Sequence, residues 1–207
     1  MRFSTTALVI AILALSGSAI GRPVSFGIIA GASLTQDFQK RYFPPQPPLF
    51  PGGPPSPALV DYSTPKRFIV GGMLEVGLPL HFSVEADALY HELEYTSAAI
   101  LDPNETLNSV SPSPVVTWEF PVMAKYHFSQ SRLKPFLEAG PVFRSSGNLN
   151  GTNPSTHGFT VGGGVAIHAW KLTIAPEVRY LRWARDHSAA GPPTVQNQVE
   201  VLLGFSL

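Results

Sequence analysis

Two short runs place a histidine two residues before a serine: His81-Phe82-Ser83 and His127-Phe128-Ser129. A serine hydroxyl is a weak nucleophile until a neighbouring base takes its proton, so a histidine held by an acid beside a serine is the smallest kit for acyl transfer. A third run, Asp186-His187-Ser188, sets the three residue types side by side. The first two runs abut turn-like sequence and read most simply as polar residues near turns. The third reads as a solvated loop. His91, Glu92 and Glu94 carry metal-ligand chemistry, but on a strand alternation sends His91 to one face and both acids to the other. Gly162-Gly163-Gly164 lacks the following helix and Lys of a phosphate cradle, and its use is to let strands or facing side chains approach closely. With no Cys in the chain, thiol catalysis, disulfides and cysteine metal cages are excluded. No catalytic, cofactor-binding or metal-ligating residue is assigned, and no cofactor is implied.

The elements that hold these residues follow from composition and pattern. The 207 residues suit one principal unit. Fourteen Lys and Arg balance fourteen Asp and Glu, which leaves no basic footprint for nucleic acid. Charged residues are only 14% of the chain, below the roughly 25% typical of soluble domains. The 18 Gly and 21 Pro argue for many turns and against a helical protein. Arg2, the apolar run Ala7 to Leu15 and the small residues Ser16 to Ala19 have the order of a secretory signal, residues 1–21, with cleavage expected after Ala19 or Gly21. No run elsewhere is long and apolar enough for a membrane-spanning helix.

At period two, residues 22–207 resolve into eight segments: Val24 to Thr35, Arg67 to Leu78, Leu80 to Glu92, Val116 to Phe128, Leu133 to Arg144, His157 to Ala169, Lys171 to Leu181 and Gln196 to Leu207. Their connections alternate strictly between long and short, the pattern of an all-β, eight-stranded antiparallel transmembrane up-and-down β-barrel. Such a barrel sits in the bacterial outer membrane with both termini in the periplasm. The longest connection, residues 37–66, is a Pro-rich outer loop with eight prolines between positions 44 and 57; its segment Phe43 to Pro57 could serve as a polyproline ligand but reads more simply as a stiff, disordered stretch.

The chemistry of the two strand faces is the stronger signal. One parity reads Val24, Phe26, Ile28, Ala30 in the first segment, Phe82, Val84, Ala86, Ala88, Tyr90 in the third and Trp118, Phe120, Val122, Ala124, Tyr126 in the fourth, and continues so through all eight. No charge, amide or aliphatic hydroxyl falls on it once Glu92, His157 and Asn197 are assigned to strand ends beyond the lipid. The other parity carries Arg67, Glu75, Glu85, Asp87, Glu119, Lys125, Glu138, Arg144, Glu177, Arg179 and Glu200, which are read as a structural charge network inside the barrel. Aromatic residues gather at strand ends, with Phe68, Tyr90, Trp118, Phe143, Phe159 and Tyr180 towards the long loops and Phe26, Phe82, Tyr126, Phe128 and Phe205 towards the turns. That is the placement of interfacial girdles, so the apolar face belongs against lipid and the ionic face inside. Eight strands leave an interior that side chains fill, so no open channel is expected. Register at the turn 129 to 132 places Lys125 diagonal to Glu138, and the last hairpin sets Arg179 near Glu200; both are expected ion pairs. Pro121, Pro141 and Pro176 lie within these strands and call for bulges or strained geometry.

Two stretches carry a family resemblance. Glu119-Phe120-Pro121-Val122-Met123-Ala124-Lys125-Tyr126 and Pro176-Glu177-Val178-Arg179-Tyr180-Leu181-Arg182-Trp183 resemble strands of the small outer-membrane β-barrel family that includes PorT-like and OmpA-like proteins. The resemblance implies a fold and a location rather than a reaction. The His-x-Ser spacing also resembles that of lipid A deacylases, but here both runs fall at the periplasmic end. The expectation is an integral outer-membrane protein, not an enzyme, with a structural or surface-interaction role through its outer loops. Its expected partners are outer-membrane lipid and the barrel assembly machinery, which reads the terminal Phe205-Ser206-Leu207. No surface ligand is named. A narrow channel, an outer-leaflet lipid hydrolase using His187 and Ser188, and a soluble lipocalin-like barrel are the alternatives.

Overall fold

The computed structural model describes residues 24–48, 50–53, 55–100, 109–129, 131–147, 152–169, 171–186 and 192–207. The signal segment 1–21, its cleavage point, and His187 and Ser188 lie outside the described residues. The regular elements are ten strands: β1 (Val24–Ser33), β2 (Arg41–Phe43), β3 (Ala58–Ser63), β4 (Phe68–Gly77), β5 (Phe82–Ile100), β6 (Ser109–His127), β7 (Leu133–Ser146), β8 (His157–Ala169), β9 (Leu172–Trp183) and β10 (Asn197–Ser206). Eight of them, β1 and β4 to β10, form an antiparallel ring in which β5 pairs with β6 and the first strand meets the last, from Gly27↔Ser206 to Ser33↔Glu200. Closure leaves the ring without an edge, as a bilayer requires of any sheet that crosses it.

β5 and β6 run well past the expected ends at Glu92 and Val116. Their upper halves pair with each other from Leu93↔Val115 to Ala99↔Ser109, above the point where β4 begins at Phe68. Beyond β4 the free edge of β5 needs partners for its backbone groups. β3 supplies them, from Ala58↔Ile100 to Ser63↔Tyr95, and β2 adds to β3 through Arg41↔Asp61 and Phe43↔Leu59. The long connection over 37–66 is therefore not all loop: the prolines crowd the stretch between β2 and β3, where Gln46 and Ser56 form a bridge, and the flanking residues build a sheet.

Pro121, Pro141 and Pro176 enter without bulges. Each faces one neighbour with its ring nitrogen, and only that ladder skips two pairs. β5–β6 passes from Ala86↔Val122 to Leu89↔Glu119 across Pro121, β6–β7 from Pro121↔Val142 to Ala124↔Ala139 across Pro141, and β8–β9 from Gly164↔Glu177 to Ile167↔Ile174 across Pro176. The register is the same on either side of every gap, and the opposite ladder stays paired, as in Pro141↔Phe159 and Pro176↔Leu203. Elsewhere the strands close up on glycine: a Cβ on Gly71 would run into the carbonyl oxygen of Ala88, and one on Gly140 into that of Val122.

The β4–β5 turn, residues 78–81, is longer than the expected single residue Pro79. Leu80 and His81 both adopt positive φ, 62° and 68°, and the Phe82 amide donates to the Pro79 carbonyl at 3.4 Å. This is the two-residue hairpin geometry normally given to Asn-Gly.

Candidate functional site

The two faces are sorted inside out relative to a soluble barrel. Phe26, Ile28, Val70, Val122, Phe143, Val178 and Val201 are exposed on the outer wall, while Glu85, Asp87, Glu119, Lys125, Glu138, Arg144, Glu177, Arg179 and Glu200 are all buried within. Aromatic side chains meet in bands at both ends of the wall: Phe68, Tyr90 and Trp118 at the long-loop end, with centroids 6.1 and 5.7 Å apart, and Phe82, Tyr126 and Phe128 at the turn end, 5.0 and 5.2 Å apart. An apolar belt between aromatic bands on a closed cylinder is a lipid-facing surface.

Across the middle of the lumen, Arg179 on β9 spends all of its nitrogens on carboxylates. Nε donates to Glu138 at 2.8 Å, Nη1 to Asp87 at 2.7 Å and Nη2 to Glu85 at 2.8 Å, with Glu177 2.6 Å away. Lys125 on β6 donates to Glu85 at 2.6 Å, lies 3.2 Å from Glu138 and 3.6 Å from Glu177, and sits over the Phe136 ring at 4.4 Å. This hub ties β5, β6, β7 and β9 together across the barrel's width. The contact between Lys125 and Glu138 is present. Arg179 and Glu200 are cross-strand neighbours on β9 and β10, yet they make no ion pair; four carboxylates on the other side draw the guanidinium away. Arg67 is also corrected: it is exposed at the rim, just before β4, where its carbonyl accepts from the Ser33 amide. Glu75 sits apart from the hub at the turn end.

The remaining half of the lumen is apolar. Ile29, Ile69, Met73, Leu89 and Leu202, from β1, β4, β5 and β10, form one buried cluster. The inner face, expected to carry charges interleaved with Gly, Ser, Thr and His, thus holds a large apolar cluster as well. The signal was present in apolar residues at the inward parity of those strands.

Above the hub lies a second polar chamber. His91 Nδ1 is 3.4 Å from Glu119 Oε1, and Arg144 donates to Glu119 at 3.1 Å and to Gln198 at 3.4 Å while stacking over Trp183 at 3.6 Å. Trp183 donates to Gln198 at 2.7 Å. Asp37 reaches down from the β1–β2 connection to within 3.8 Å of His91 Nε2. Burial pushes the Asp37 carboxyl up to about 6, against the pull of His91 beside it. The connection is strapped over the mouth: Phe38 bridges Thr194, the Val195 amide donates to the Asp37 carbonyl, and Ser63 Oγ accepts from the amides of Asp37 and Phe38. Phe38 packs edge-on against Tyr95 at 5.2 Å, within a buried cluster with Leu93 and Val115. His91, Trp183 and Gln198 stand at inward parity and were legible as lumen residues; Asp37, on a loop, carried no such signal.

At the turn end, Ser83, His127 and Glu75 come together beside a cavity of about 250 Å³ that His81 and His168 also line. Ser83 Oγ and Glu75 Oε1 lie 3.2 and 3.3 Å from the same atom, His127 Nε2, and His127 Nδ1 is buried without a partner. A relay needs the acid on one ring nitrogen and the hydroxyl on the other. Asp186 is engaged within the loops: it accepts from the amides of Ser155 and Thr194 and from the Thr194 hydroxyl.

No known protein family and no curated protein matches the sequence. Among solved structures, Neisserial surface protein A is similar, with a TM-score of 0.50 at 12% identity, over 90% of this chain and 97% of that one. The fold is that of an outer-membrane β-barrel. The N-terminal β-barrel domain of Pseudomonas aeruginosa OprF (TM-score 0.43, 12% identity, 90% of this chain and 100% of that one) and AlkL in lipid bilayers (0.49, 14%, 91% and 92%) also align with the barrel. At these identities the likeness concerns the fold alone.

Proposed function

We propose that this barrel is an integral protein of the bacterial outer membrane that neither conducts nor catalyses, and that acts through the sheet it raises on its long-loop side. The observation that carries this reading is the double closure of the lumen: the Arg179 and Lys125 hub spans the middle, and the Asp37–Phe38 strap seals the mouth. In bacterial barrels the longer loops face outward. On that orientation the β2–β3 sheet and the upper β5–β6 hairpin form the most prominent surface, with Tyr42 and Phe50 exposed on it. The strand ending in Phe205-Ser206-Leu207 is the element offered to the assembly machinery. The shared histidine nitrogen between Ser83 and Glu75 argues against acyl transfer at the turn end.

Planar-bilayer recording of the purified protein tests the absence of a pore: the bare membrane's baseline is expected, and discrete single-channel steps overturn the reading. Unaltered lipid A in cells that overproduce the protein is the matching expectation for the absence of catalysis.

A further inference from the structure

The structure assigns a divalent metal site to the upper chamber, held by His91, Glu119 and Glu200 with Asp37 closing it from above. One nitrogen of His91 and one oxygen each of Glu119 and Glu200 lie within 4.8 Å of one another, on three strands, β5, β6 and β10, that converge there. All three residues are buried, as is Asp37.

Position alone does not make a site, but the hydrogen-bond inventory points to one. Both carboxylate oxygens of Glu200, both of Asp37, Glu119 Oε2 and His91 Nε2 are buried without a hydrogen-bond partner. Buried polar atoms left unmatched in such number call for an occupant, because each otherwise costs its full desolvation. The cations nearby do not supply the match. Arg144 gives one nitrogen to Glu119 and Gln198 and lies over Trp183, its Nε and Nη1 making no hydrogen bond, and Arg179 is taken up by the hub below. Three carboxyl groups therefore face one guanidinium around a histidine, an excess of acids over fixed cations that a divalent ion would offset.

The donor set indicates the class of ion. An imidazole nitrogen among carboxylates favours zinc or another nitrogen-accepting transition ion over calcium or magnesium, which take oxygen. Ligands at about 2.1 Å around tetrahedral zinc stand roughly 3.4 Å apart, so the three side chains need close by only about an ångström to grip it. The second carboxylate cluster, Glu85, Glu138 and Glu177, is different in kind, since Lys125 and Arg179 already sit among its oxygens.

The test refolds the full chain into detergent micelles with either zinc chloride or EDTA, removes free ion by gel filtration, and measures bound zinc per chain together with the heating temperature at which the folded gel band disappears. The expected result is close to one zinc per chain and a melting temperature raised by several degrees relative to EDTA. His91→Gln and Glu200→Gln, both of similar shape to the native side chains, should fold but lose the zinc and the rise. His168→Gln, at the opposite end, should keep both. Absence of stoichiometric zinc in the folded wild type overturns the assignment. So does zinc retained by both chamber variants, or an equal response to calcium.

Discussion

Arg179 is the side chain on which the interior depends most. Removing a cation from among buried carboxylates leaves their charges uncompensated, which costs about 3–5 kcal/mol for a buried pair. Arg179→Ala is expected to lose stability of that order, read as a lower urea midpoint in tryptophan fluorescence, to which Trp183, four residues further along β9 and buried, contributes. A midpoint unchanged from wild type counts against the hub. Charge reversal at Lys125, as in Lys125→Glu, should be as damaging, with the folded band lost from unheated gels. Sequence register was enough to bring Lys125 to Glu138, because the two stand opposite each other on adjacent strands. It was not enough for Arg179, whose reach across the lumen lets the field of Glu85, Asp87 and Glu138 decide its direction rather than its nearest neighbour Glu200. Asp37 was illegible for a related reason: a loop residue's position is set by what its loop rests on, here the Thr194 segment.

Among the elements, the β4–β5 turn is the strained one. Two non-glycine residues at positive φ cost on the order of 1–3 kcal/mol each. Replacing Leu80-His81 by Asn-Gly should therefore stabilise the barrel by about 1 kcal/mol or more, visible as a higher urea midpoint; no gain means the turn is relaxed by contacts elsewhere. Gly71→Val should do the reverse, forcing β4 from β5 where the Ala88 carbonyl lies against the glycine, and reducing the yield of heat-modifiable protein on refolding. The eight barrel strands were legible because lipid on one side and salt on the other enforce a strict alternation. The upper halves of β5 and β6 were not. Above the lipid the outer face no longer meets hydrocarbon, and Leu93-Glu94-Tyr95-Thr96-Ser97-Ala98 no longer divides into an apolar and an ionic parity. Prolines misled in the same way: Pro121, Pro141 and Pro176 looked like interruptions, but a proline needs only one side of its strand free of a donor, and the missing bonds fall on one ladder each.

At the scale of the whole molecule, the long-loop sheet and the cylinder are separable. β2 and β3 join the rest through the upper edge of β5, so replacing residues 41–60 with a flexible linker should leave a barrel whose unheated gel band still migrates as folded, while removing the surface proposed to meet partners. Loss of that band would show that the sheet is needed for folding.

The two unlike halves of the interior also bear on the order of assembly. Every member of the hub comes from the continuous stretch between Glu85 and Arg179, in which each strand pairs with the next along the chain. Those five staves can enclose their ions as an open arc before either end of the polypeptide is in place. The final seam, where Ile29 comes to rest near Leu202, then adds the β1–β10 ladder and an oily cluster but no member of the hub, and forced unzipping should start there.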